Sequence, residues 1–329
     1  MKLSIIGAGS FGTSLAVHLS KNFDKIQLHT ISEEVKKEIN EKKTNIRYLK
    51  DISIPDNVSC SLNIKEVIDG ATFVVLAVPS TAVRSVSRMI APHLTNNQIV
   101  VNLAKGIEQD TYKRLSSVIE EEIKNNPIVV LSGPSHAEEI AKGLFTTLIA
   151  SSRNEEASIK VQDAFITSNL RIYTNSDIVG VEIGAACKNI IALASGLVHG
   201  LGHGDNTKAA LMVRGVKEIT DISIALGANP KTLNGLSGMG DLIVTCTSPH
   251  SRNRQAGILL SKGYSLDEVL DEVEMVVEGV TACKCFKELS ERVNVELPIT
   301  SALYSVLFEG KNAEQCLYEL SRRDAKSEF

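Results

Sequence analysis

The apolar run from Lys2 to Ile6 stops at Gly7-Ala8-Gly9-Ser10-Phe11-Gly12, and beyond it a helical spacing runs through Leu15, Ala16 and Leu19 to Asn22. A strand that turns through GxGxxG into a helix constrains this chain more than any other feature. The first glycine makes a tight turn, the second lets a pyrophosphate approach the backbone, and the third allows the helix to pack closely on the strand. The helix N-terminus adds free N–H groups and partial positive charge. Gly7, Gly9 and Gly12 are therefore read as dinucleotide-binding positions.

A second strand follows at Lys25 to His29, and short apolar runs recur at 73–78, 99–103 and 128–131. Their length and β-branching mark buried parallel strands. Helical stretches such as Ala82 to Ile90 and Thr111 to Lys124 lie between them, which asks for right-handed crossovers on both faces of one sheet. Thr146 to Ser151 and Leu170 to Thr174 add two strands around a helix from Glu155 to Thr167. The sheet is then complete near residue 176. Beyond it the spacing turns helical, at Val181 to Ser195, Thr207 to Leu226 and Ser265 to Val269 onward, with Asn206 placed as an N-cap and Gly227 as a C′ residue. The expected fold class is α/β: an N-terminal Rossmann doubly wound sheet over 1–176, then an all-α C-terminal domain over 177–329.

Composition narrows the partners. With 35 Lys+Arg against 39 Asp+Glu the formal charge is -4, so no basic face for nucleic acid is indicated. Aromatic residues are 4% and Trp is absent, which argues against a base-stacking platform. The six cysteines include no CxxC pair, and free thiols in a reducing compartment fit better than disulfides or zinc. No run of about 18 apolar residues and no signal-peptide core are visible. A soluble, cytoplasmic protein is expected.

Several polar residues stand where ligands bind. Lys105, in Asn102-Leu103-Ala104-Lys105-Gly106, lies at the carboxyl end of a strand, the ligand-binding edge of an open α/β sheet. Ser132-Gly133-Pro134-Ser135-His136-Ala137 ends the next strand in a rigid turn that offers N–H groups and the Ser135 hydroxyl. Lys188 is a long cation among Gly184, Ala185, Ile191 and Ala192, where desolvation suits an amine for general acid–base work. Asp241, in a glycine-rich stretch, and Ser251-Arg252-Asn253-Arg254, beyond Pro249, read as loops; the Arg252 fork with the Asn253 amide suits a phosphate or carboxylate. His199 and His203 lie in the glycine-rich run 196–204 and read as loop residues, with no carboxylate spacing for a metal. At the end of the second strand, Leu28-His29-Thr30-Ile31-Ser32 holds neither the acid that selects NAD nor the Arg that accommodates NADP. The cofactor stays NAD(P)(H).

Together, the segments 7–13, 102–108, 132–137, 186–189, 240–242 and 251–254 resemble the NAD(P)-dependent glycerol-3-phosphate dehydrogenase family of bacteria over nearly the whole chain. The resemblance implies a usually dimeric enzyme that interconverts dihydroxyacetone phosphate and sn-glycerol 3-phosphate, the backbone of glycerophospholipids. It implies that Lys188 is the catalytic lysine, and that Lys105 contacts both substrate and cofactor. Gly133, Ser135, Asp241, Ser251, Arg252 and Asn253 fall on substrate positions. Ser10, Phe11, Ala137, Arg252, Val276 and Glu278 fall on cofactor positions. Ile31 replaces an Arg that many members carry, and Phe11 replaces a frequent Trp.

Two rivals share the glycine turn. One is another two-domain Rossmann dehydrogenase, of the hydroxyacid or hydroxyacyl-CoA type. The other is a non-enzymatic dinucleotide-sensing protein, which should carry a basic DNA-reading helix that the charge balance does not offer.

Overall fold

The computed structural model describes residues 1–273, 276–323 and Ser327. Contacts divide the chain into two compact units, Met1–Glu182 and Ile183–Phe329, the division falling inside the helix Ile178–Gly200.

The first unit is built on eight strands: β1 (Lys2–Ile6), β2 (Lys25–His29), β3 (Val58–Ser61), β4 (Phe73–Leu76), β5 (Ile99–Asn102), β6 (Ile128–Ser132), β7 (Thr146–Ser151) and β8 (Leu170–Asn175). They form one sheet in the order β3-β2-β1-β4-β5-β6-β7-β8. Alternate residues supply its two faces. Leu3, Ile5, Phe73, Val75 and Val101 join one core, where Phe23, Phe73 and Phe165 meet edge to face at 5.3–6.0 Å. Ile6, Val74, Leu76 and Val100 join the other, under Val83, Ile90, Val118 and Ile119. Burial on both faces is what makes these strands continuous apolar runs.

Every pairing is parallel except β6 with β7, which set Val130 against Ser151. Only the five-residue helix Ala137–Ala141 lies between those two strands, and the chain turns back beside the strand it has just left. β3 was not expected from the sequence. It pairs with β2 at the sheet edge, Ile26 opposite Val58, and its Val-Ser-Cys-Ser carries little apolar signal.

The second unit is helical. The helix expected to start after Asn206 spans Asp205–Ala225 with Gly204 as N-cap; at its other end Gly227, at φ 90°, and Ala228 donate back to Ile224 and Ser223 as a left-handed cap requires. His199, read as a loop residue, lies in the last turn of Ile178–Gly200, while His203 lies in the loop after it. The Asp241 and Ser251–Arg254 stretches are also helical rather than loops. The turn Leu236–Gly240 leads into Asp241–Thr247, and Ser251 caps Arg252–Ser261 by accepting from Arg254 N. The helix Ile178–Gly200 is long and apolar enough by length and composition to cross a membrane, although Glu182 and Lys188 interrupt its apolar residues, and 94% of its apolar window is buried inside the protein.

Candidate functional site

In the first unit the glycine turn has the shape its spacing predicts. Gly7 takes φ 117°, and a methyl group there would sit 2.4 Å from Ala77 O; one on Gly12 would sit 2.1 Å from Gly7 O. A methyl on Gly9 would meet nothing within 4 Å. The turn is thus packed on its inner side and open at Gly9, where the helix Ser10–His18 begins with no side-chain cap. An open backbone at a nine-residue helix N-terminus fits a pyrophosphate. Ser10 and Phe11, the first two residues of that helix, are partly exposed. Sequence reasoning missed Asn45, a buried side chain that donates to Ala8 O and Thr13 Oγ1, both at 2.9 Å, and so braces the turn from outside.

Beside the turn, Gly7 N donates to His29 O at 3.0 Å, and burial holds the His29 imidazole below its ordinary pKa. Thr30 Oγ1 accepts from Ser32 N, and Ser32 Oγ caps the helix Glu33–Lys37 by accepting from Val35 N. Glu33 pairs with Lys36 at 2.9 Å, and Ile31 is 93% exposed.

Lys105, Gly133 and Ser135 converge at the carboxyl ends of β5 and β6. Lys105 Nζ donates to Gly133 O at 3.0 Å, and Ser135 Oγ donates to the same carbonyl at 2.9 Å. Ala137 starts the helix Ala137–Ala141 immediately after this turn.

The second unit holds a buried polar cluster. The helix Ile178–Gly200 carries Lys188, and a methyl on its Gly196 would lie 2.0 Å from Arg254 O, so the helix Arg252–Ser261 crosses it at backbone contact. Lys188 Nζ donates to Asp241 Oδ1 at 2.5 Å and to Thr245 Oγ1 at 2.8 Å, and the Thr245 hydroxyl donates to Asp241 O at 2.6 Å. A carboxylate that the sequence marks as a ligand-site candidate and a hydroxyl that it does not thus orient the Lys188 ammonium. The next residue, Asn189, extends the cluster: its Nδ2 donates to Glu278 Oε2 at 3.1 Å, and its Oδ1 accepts from Asn253 Nδ2 at 3.0 Å. Asn253 Oδ1 accepts from Gly279 N at 2.8 Å. Thr245 and Asn189 were not singled out in the sequence, because Thr and Asn are common in polar turns and their partners here are distant along the chain.

Burial pushes the neighbouring Cys246 thiol up to about 12, so it stays protonated and carries no thiolate chemistry at neutral pH. Ser251 is buried as a cap, Arg252 is exposed, and Val276 is an exposed residue before the helix Glu278–Arg292. Among the described residues no group of three or more His, Cys, Asp or Glu could hold a metal ion.

The comparisons agree with this layout. The profile of the NAD-dependent glycerol-3-phosphate dehydrogenase N-terminus matches residues 2–158, and that of its C-terminus matches residues 177–318. A glycerol-3-phosphate dehydrogenase [NAD(P)+] of Clostridium tetani (strain Massachusetts / E88) is 52% identical over 326 residues, covering 99% of this chain and 93% of the relative. One from Clostridium perfringens (strain 13 / Type A) is also 52% identical, covering 99% of both chains. The crystal structure of glycerol-3-phosphate dehydrogenase from Coxiella burnetii superposes with a TM-score of 0.93 at 31% identity, covering 98% of this chain and 99% of that one.

Proposed function

This chain belongs to the NAD-dependent glycerol-3-phosphate dehydrogenase family, and on that premise we propose that it reduces dihydroxyacetone phosphate to sn-glycerol 3-phosphate, reversibly, with NAD(P)H. The observation that carries the chemistry is the buried Lys188–Asp241–Thr245 cluster. When bound at the glycine turn, the dinucleotide supplies the hydride.

Lys188 gives a proton to the C2 oxygen as that oxygen gains negative charge, and takes one back in the reverse direction. Asp241 and Thr245 fix the direction in which the ammonium points, so no side-chain freedom remains to be lost in the transition state. Arg252, with its exposed planar fork, anchors the substrate phosphate. Asn253 offers only an Nδ2 hydrogen, because Gly279 N–H already occupies its amide oxygen. Lys105, Gly133, Ser135 and Ser251 complete the substrate contacts, while Gly7, Gly9, Ser10, Phe11, Gly12, Ala137, Val276 and Glu278, together with Lys105 and Arg252, serve the cofactor. Family membership supports a homodimer in the cytoplasm and a first domain that ends near residue 176.

The test is a dihydroxyacetone phosphate reduction assay run in parallel with NADH and NADPH, with inorganic phosphate as competitor. Turnover that phosphate inhibits competitively is the expected result. Turnover of short 2-oxo acids but not of the triose phosphate would favour the hydroxyacid rival instead.

A further inference from the structure

The segment after Lys105 is a closed loop. Ile107 and Arg114 form an antiparallel bridge, Glu108 N donates to Lys113 O at 2.9 Å, and Asp110 and Tyr112 take φ of 67° and 57°. Non-glycine residues keep such angles only where their surroundings over-determine them. On one side Arg84 grips the loop, its Nε and Nη2 each donating to Glu108 at 2.7 Å. On the other side stands Glu182, a buried carboxylate with no part in the chemistry above. It accepts from Arg114 Nη1 at 2.6 Å, Ser116 N at 2.7 Å and Ser116 Oγ at 2.5 Å. Arg114 also reaches the hydroxyls of Ser116 and Ser117 at 2.8 and 3.1 Å. Burying a carboxylate is costly unless its oxygens are matched by donors, and here all three donors come from one three-residue stretch.

We propose that Glu182 is a positioning residue for Lys105: by holding Arg114 and Ser116 it fixes the closing end of the loop, and through the Ile107 bridge it fixes the approach of Lys105 to Gly133. This rests on the assignment of Lys105 as a ligand-contacting residue.

A double-mutant cycle tests it, with kcat/KM for dihydroxyacetone phosphate measured for the wild type, Glu182→Gln, Lys105→Ala and the double variant, and NADH binding followed in each. Glu182→Gln should bind NADH no more weakly than Lys105→Ala does and lower kcat/KM about 10- to 100-fold, since a displacement of about 1 Å at a site costs that much. In the Lys105→Ala background the same substitution should cost almost nothing. An equal cost in both backgrounds, with Lys105→Ala itself impaired, overturns the role of Glu182 alone. A Lys105→Ala enzyme with unchanged kcat/KM overturns the Lys105 assignment and this proposal with it. If Glu182→Gln does not fold, Arg114→Lys, which keeps a cation but loses the fork, enters the cycle and is judged by the same outcomes.

Discussion

Lys188 and Asp241 form an ion pair at 2.5 Å with side chains only 7% and 1% exposed, although 53 residues separate them in the chain. A pair buried this deeply contributes little net stability, but removing one partner strands a charge in a dry site. Their association is therefore better explained by what the ammonium does than by what it holds together.

Asp241→Asn should lower stability by about 3–5 kcal/mol, the usual cost of breaking a buried pair, and depress turnover as well. The double variant Lys188→Met with Asp241→Asn should recover much of the melting temperature while remaining inactive. Thermal melts beside steady-state assays check this; a single Asp241→Asn variant with wild-type Tm and kcat would contradict it.

The glycine turn separates packing from binding. Gly12→Ala forces a methyl against Gly7 O and should cut stability, whereas Gly9→Ala enters open space and should leave Tm within a degree or two while weakening dinucleotide binding. Calorimetric titration with NADH, alongside thermal melts, distinguishes the two. Equal losses of stability at both positions would show that Gly9 is a packing residue.

Ile31 follows β2 almost fully exposed, so an arginine there sacrifices no packing. Ile31→Arg should raise the ratio of kcat/KM for NADPH over NADH about tenfold or more, the worth of one charge-assisted hydrogen bond to the 2′-phosphate. Tm should not move. An unchanged ratio would place cofactor choice elsewhere.

Glu218 gives stability a pH dependence. It is buried on the helix Asp205–Ala225 and accepts from Ile299 N, Thr300 N and Thr300 Oγ1 at 2.5, 3.2 and 3.1 Å, at the start of the helix Pro298–Phe308. Burial pushes its carboxyl from 4.5 up to about 7, against the opposing pull of those hydrogen bonds and of Arg214. With the folded value raised, its contribution is complete below about 4.5 and is lost as pH rises through about 7. The Tm difference between wild type and Glu218→Gln should therefore shrink from pH 4.5 to 8, and a constant difference would contradict the shift.

Much of this architecture is legible in the sequence because β4 and β5 are apolar on both faces, and the glycine turn follows directly on β1. β3 was hidden because an edge strand of Val58, Ser59, Cys60 and Ser61 needs little apolar surface. Lys188 stood out as a cation among small residues in a helical pattern. Its partner Asp241 was legible as a candidate too, but Thr245 was not; Gly238, Gly240 and Pro249 break the periodicity around Asp241 and Ser251, so both read as loops, yet packing closes them into helix starts. Asn45, Asn189 and Glu182 were invisible for another reason, since a buried hydrogen bond between residues 32 to 89 positions apart leaves no local pattern.

The proton-donor role of Lys188 is tested most directly by Lys188→Ala, with kcat for dihydroxyacetone phosphate reduction and the dissociation constant for NADH measured on one preparation. The expected result is a loss in kcat of about 100-fold or more, the scale of general acid catalysis, with NADH bound as in the wild type. A variant that binds NADH and still turns over near the wild-type rate would show that the proton comes from another group.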